Sequence, residues 1–239
     1  MTITCDRPQT TSLASSTFPV NGVGDSGGSL DHSIFAMCQA LSELENDLWK
    51  AGNGTPSQVT LVTRCLNQIN EIHEGMDPSL RDRRLSRGIH QNLSRLTWFI
   101  HMGSVVCKLS RRLYNYLSQA SDERADCITR CNRAGIQVLE SYLEMHRLAP
   151  KLCRSWSFVH NAASVIFANH SLQDVSEGTL RVMELGKKIV KRLEKDERDS
   201  VWVDGSGVRY NSCLHGRILN SLIHLYSTQA DVYSGISFA

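Results

Sequence analysis

The chain has 239 residues, of which 41% are apolar and 21% charged, and its 26 basic and 24 acidic side chains leave a formal charge of +2. It is too apolar and too nearly neutral for a wholly disordered chain, and long enough to bury its apolar surface in one core or two small ones. The charge makes no strong electrostatic case for nucleic acid or an acidic membrane, and eight cysteines are too few for a disulfide scaffold.

Residues 1–30 read as a disordered tail. They are rich in Ser, Thr and Gly and offer few large apolar groups to offset the entropy of ordering. The start carries no apolar core of signal-peptide type, and no run approaches the roughly 18 apolar residues of a membrane span. The thiols are therefore expected to be reduced, and the Asn-x-Ser/Thr triplets at Asn53, Asn92 and Asn169 carry no glycosylation meaning.

From Asp31 the pattern becomes helical, and residues 31–239 are read as one helical domain. Ile34, Met37, Leu41, Leu44 and Leu48 recur at helical spacing up to the Gly52-Asn53-Gly54 cluster. Thr55 and Pro56 open a second helix lined by Val59, Val62, Leu66, Ile69 and Ile72, with Gly75 closing it and Pro78 just beyond. Residues 89–119 form a third, with a stripe from Ile89 through Leu93, Leu96, Ile100, Val105, Leu109 and Leu113 to Leu117. A fourth starts at Ser121-Asp122 and ends near Ala149, before Pro150. Pro150 to Asn169 reads as a fifth. Ser176 caps a sixth that ends in the charged run from Lys191 to Asp199, and Leu214, Ile218, Leu222, Ile223 and Leu225 mark a seventh. The only strand-like stretch, Val201-Trp202-Val203, is too short to build a sheet. The expected fold is all-α, an array of about seven helices.

Chemistry-bearing motifs are sparse. Cys127 and Cys131 share a helical face, but no Cys-x-x-Cys accompanies them, and core packing is the expected role. His101, His146, His160 and His170 lie on apolar-rich helices without His-x-x-x-His spacing. There is no Gly-x-Ser-x-Gly elbow, no phosphate-loop lysine behind Gly22-Val23-Gly24 or Gly205-Ser206-Gly207, and no Asp-Asp-x-x-Asp. Lys187-Lys188 with Lys191-Arg192, and the patch Arg81, Arg83, Arg84 and Arg87, read first as solvated faces and second as import signals or phosphate contacts. No catalytic or metal-binding residue is assigned, and no cofactor is expected.

Residues 41–200, two thirds of the chain, carry a succession of short motifs. Trp49 is followed by Met76-Asp77-Pro78-Ser79-Leu80-Arg81. Leu109-Ser110-Arg111-Arg112-Leu113 comes next, then Cys127-Ile128-Thr129-Arg130-Cys131-Asn132-Arg133-Ala134-Gly135-Ile136, then Trp156 with Ala162-Ala163 and Val165. Their order resembles the fungal-specific transcription factor domain, the helical middle homology region of fungal zinc-cluster regulators. Ser110 and Arg112 stand where the family signature has His and Pro, so its helix break is expected to be lost. The gap from Trp49 to Pro78 is longer than in the family.

The resemblance implies a nuclear transcription regulator, or the regulatory domain of one, controlling a pathway gene set in a filamentous fungus, a secondary-metabolite cluster foremost. The partners expected are other regulators or a small effector, in a homo- or heterodimer, and, from the lack of a long apolar run, no membrane. The family's DNA-binding cluster needs six cysteines, and the first 30 residues hold only Cys5, so that device is not expected in this chain. Two rival readings stand beside it. One is a helical enzyme in which His101, His160 and Glu144 converge; the other is a truncated interaction module without activity.

Overall fold

The computed structural model describes residues 29–52, 55–118, 122–153, 156–172, 176–199, 218 and 220–225. Among them every regular element is a helix and no strand occurs. The tail read over residues 1–30 lies outside them apart from its last two positions, as do the strand-like Val201-Trp202-Val203 and Gly205-Ser206-Gly207.

Helix α1 (Leu30–Ala51) starts where Ser29 accepts a hydrogen bond from the amide of His32, and it buries Ser33, Met37, Ala40, Leu44 and Leu48. Helix α2 (Thr55–Glu74) packs against α1. Val62, Cys65, Leu66 and Ile69 form its buried face, and the Cys65 thiol points at the carbonyl of Ala40.

Helix α3 (Pro78–Arg81) is a single turn that periodicity did not anticipate. Its start is chemical rather than periodic. The Asp77 carboxylate accepts from the amide of Ser79 at 2.7 Å, which holds that carboxyl below its usual range, and Pro78 brings a preset φ to the first position.

Helix α4 (Ile89–Tyr116) runs unbroken through 109–113, as the missing proline predicts. Helix α5 (Asp122–Leu148) matches its expected bounds to about a residue. The segment read as one helix from Pro150 is described as a short α6 (Pro150–Cys153) and α7 (Trp156–His170). Helix α8 (Glu177–Asp199) packs on α7. Residues 220–225 are helical as well, with Leu222 buried. Helix α3 is an addition to the expected seven, too short at four residues to show a period, and α6 and α7 flank residues 154–155, which lie outside the described residues.

These elements form two compact units. The first comprises the chain through Trp98 together with residues 112–124, and the second comprises 99–111 and the chain from Ala125 onward. In the first, Trp98, Leu44, Ile69, Leu96 and Val62 are fully buried. Arg112 reaches Glu45 at 2.6 Å, and the Arg124 guanidinium lies 3.8 Å over the Tyr114 ring.

In the second unit, Ile100, Val138, Leu139, Tyr142, Met145 and Ile189 are fully buried. The start of α8 is fixed there by side chains. Ser176 accepts from the Thr179 amide at 3.4 Å, and Asn132 on α5 donates to Ser176 at 3.0 Å while accepting from the Thr179 hydroxyl at 3.2 Å. Ser176 thus acts as the cap that its position suggested, with Asn132 as a reinforcing partner from another helix.

Candidate functional site

In the first unit, a groove of about 440 Å³ lies between α1 and α2. It is lined by Glu43, Asn46, Asp47, Lys50, Arg64 and Gln68. Arg64 pairs with Asp47 across it. An effector site between helices is ordinarily lined by apolar and aromatic side chains with a few polar anchors. The residues here are polar or charged and of both signs, with no aromatic side chain among them.

The histidines are positioned by packing. His73 on α2 lies nearly parallel to Trp98, with ring centroids 6.3 Å apart, and the Trp98 Nε1–H donates to its Nδ1 at 3.0 Å. His101 on α4 sits against Phe158 and lies 2.9 Å from the side-chain nitrogen of Asn161. An amide nitrogen only donates, so Nδ1 of His101 accepts and its ring proton sits on Nε2. His160 on α7 lies 3.4 Å from the Ser164 hydroxyl, one turn along the same helix. Burial first and the charge of Lys108 second hold both His101 and His160 below the usual imidazole range.

The charge of Lys108 thus bears on both His101 and His160. Glu144, the third member of the proposed enzyme cluster, is on α5. His170 is lowered by burial, and His146 is buried near the Tyr142 ring.

This arrangement fixes a pH dependence. His73, His101, His160 and His170 all have folded-state pKa values below their ordinary value, so the native state binds fewer protons than the unfolded chain in acid. Their contribution is intact above about pH 6.5 and is lost as pH falls from there through the lowered native values. The urea midpoint should therefore be lower at pH 5.5 than at pH 7.5. A His73→Gln variant, which removes one of the four groups, should show a smaller drop. An equal midpoint at both pH values would contradict these protonation states.

The cysteines meet across helices rather than along one. Cys127 and Cys131 are both buried, as core residues are, but the Cys131 sulfur faces Cys107 on α4 at 3.4 Å. Each thiol of that pair also points at the other residue's carbonyl, and the Asn169 amide donates toward the Cys107 sulfur at 3.6 Å. The hydrogen bond to Cys131 and complete burial push the Cys107 thiol well above its usual range, which makes it a poor nucleophile. The pairing was hidden in the sequence because the partners are 24 residues apart. Among the described residues no group of three or more His, Cys, Asp or Glu side chains is placed to hold a metal ion.

Both basic runs lie at the surface. Lys187, Lys188, Lys191 and Arg192 are exposed on α8, where Lys188 pairs with Glu184 at 2.6 Å in the i, i+4 arrangement the sequence suggested. The second such pair, Glu194 with Arg198, involves a side chain outside the described residues. Arg83, Arg84 and Arg87 are exposed between α3 and α4, and Arg81 pairs with Glu74 at 2.7 Å.

Large apolar side chains are exposed on α1: Trp49 is 77% and Phe35 52% accessible. They are 14 residues apart, which at 3.6 residues per turn puts them roughly 40° apart on one face. No helix among the described residues is long and apolar enough to cross a membrane. No protein-family model, no curated protein and no solved structure matches this chain.

Proposed function

We propose that the chain is a transcription regulator, or the regulatory domain of one, acting in the nucleus on a fungal pathway gene set, a secondary-metabolite biosynthetic cluster foremost. The reading rests on the order of the motifs from Trp49 to Val165 and on their setting among helices in the described residues. Trp49 lies on α1, Pro78 to Leu80 on α3, Leu109 to Leu113 on α4, Cys127 to Ile136 on α5, and Ala162 to Val165 on α7. In this reading the chain is not an enzyme and contacts DNA only through a partner or a further segment.

The observation that favours protein contact over effector binding is the exposed Trp49–Phe35 face of α1, together with a groove whose lining residues include no aromatic side chain. Exposed tryptophan and phenylalanine are what a protein partner buries at the centre of an interface. The partner is accordingly another regulator protein or a second copy of the chain.

Transcript profiling of a deletion strain tests the reading. A set of neighbouring genes should change together, and a chromosomal Trp49→Ala substitution should reproduce the change, since that side chain is exposed and its removal leaves the core intact. Unchanged transcripts would favour the inactive interaction module. Tight sequence-specific DNA binding by this chain alone at about 150 mM salt would sink the contact mechanism.

A further inference from the structure

The segment between α3 and α4 carries an arrangement that the proposed function does not use. From Asp82 to Ser86 the backbone turns without forming a helix. The Asp82 carboxylate accepts from the amide of Arg84 at 2.8 Å, the Leu85 amide donates to the Asp82 carbonyl at 3.1 Å, and the Ser86 amide donates to the Arg83 carbonyl at 3.3 Å. Arg83, Arg84, Leu85 and Arg87 are exposed. Ser86 is half-buried, and its hydroxyl donates to the Ser79 carbonyl at 2.6 Å, with the Asp82 carbonyl at 3.4 Å. A hydroxyl has one hydrogen to give, so the Ser79 bond is the tie that holds the turn against α3.

We propose that Ser86 is a phosphorylation site for an arginine-directed serine/threonine kinase, and that the phosphate unties the turn from α3. Arg83 and Arg84 stand three and two residues before the serine, the positions that such a kinase's acidic pockets read as guanidinium groups. Ser86 is the only serine or threonine in the sequence with arginine at both positions. The stretch is exposed and held by a few turn hydrogen bonds. It can open locally into the extended form that a kinase cleft accepts, which a residue inside a packed helix cannot do without unfolding that helix.

In the reaction the Ser86 Oγ attacks the γ-phosphorus of ATP. The new Oγ–P bond forms as the bond from that phosphorus to the ADP oxygen breaks, and the hydroxyl proton passes to the kinase's catalytic carboxylate. The product has no hydroxyl hydrogen to offer the Ser79 carbonyl. Its charge of about −2 is repelled by the carbonyl oxygens of Ser79 and Asp82, which the hydroxyl oxygen now approaches. The flanking guanidinium groups of Arg83, Arg84 and Arg87 are the new partners, through charge-assisted hydrogen bonds. One neutral bond to α3 is exchanged for ionic bonds within the turn.

The test uses the whole purified chain, the catalytic subunit of cyclic-AMP-dependent protein kinase and magnesium ATP, with the phosphate located by mass spectrometry. One phosphate at Ser86 is expected, with none in Ser86→Ala and at least about tenfold slower labelling in the Arg83→Ala/Arg84→Ala double variant. That double variant changes only exposed side chains, so it reports recognition even where Ser86→Ala loosens the turn. No label on the folded wild-type chain, equal label in Ser86→Ala, or equal rates without the two arginines would overturn the site. In the phosphorylated chain the amides of residues 80–86 should exchange with solvent about tenfold faster; unchanged exchange would overturn the untying.

Discussion

Replacing Trp98 with alanine is expected to cost the first helical unit about 3–5 kcal/mol, the range for truncating a large aromatic side chain in a packed core. Trp98 is the largest of the fully buried side chains, and its Nε1–H is committed to Nδ1 of His73 at 3.0 Å. Alanine forfeits the transfer free energy of the indole and leaves a cavity. It also strips His73 of its donor while the ring stays half-buried. A Trp98→Phe variant separates these losses. Phenylalanine restores most of the apolar volume but cannot donate, so it should recover all but about 1–2 kcal/mol, the usual worth of one such bond with its orphaned acceptor. Urea unfolding followed by far-ultraviolet circular dichroism gives both numbers. A loss below about 1 kcal/mol for Trp98→Ala would mean that the helices collapse into the space, as well-packed cores do not.

Trp98 also illustrates what the sequence could and could not convey. The stripe along α4 was legible from Leu93 to Leu113, and the helices α1, α2, α5 and α8 were legible for the same reason. Apolar residues at 3.6 spacing have one common side, and Ser29 and Ser176 sit where orphan amides need an acceptor. Periodicity gives a face, but not whether another helix lies against each part of it. Ile89 begins the α4 stripe and is exposed in the first turn, whereas Trp98, which the stripe did not include, is fully buried. Helix α3 escapes periodicity because four residues have no period, and its signal is the Asp77-Pro78 pair at its start.

The candidate site was less legible than the fold, because its contacts join helices distant in sequence. Cys131 was grouped with Cys127 by their shared face, yet its sulfur meets Cys107. His101 finds Asn161 sixty residues away. A helix's own pattern does not say which turn of its neighbour it meets. That register is set where two backbones come closest, and in the second unit the residue that permits the approach of α4 to α5 is a glycine.

Gly103→Ala should therefore destabilise the second unit by about 1–3 kcal/mol, the cost of overpacking, even though alanine favours a helix interior over glycine by about 1 kcal/mol. A Cβ on residue 103 would lie 2.6 Å from Cγ2 of Val138 and 3.2 Å from the carbonyl oxygen of Ala134. Neither neighbour can yield cheaply. Val138 is fully buried and, being β-branched, is held in one side-chain rotamer on its helix; the Ala134 oxygen belongs to the α5 backbone. Relief requires the two helices to separate, and one turn along α4 they are joined by the Cys107–Cys131 contact, where each thiol reaches the opposite carbonyl at 3.1 and 3.8 Å. Separation would lengthen those contacts. Val138→Ala supplies the decisive comparison. Alone it opens a cavity and destabilises, but in the Gly103→Ala background it removes the clash, so the double variant should cost less than the sum of the singles by about 1–2 kcal/mol. Strict additivity, or a Gly103→Ala protein as stable as the wild type, would show that α4 and α5 have slack at this crossing and that helix propensity outweighs packing there.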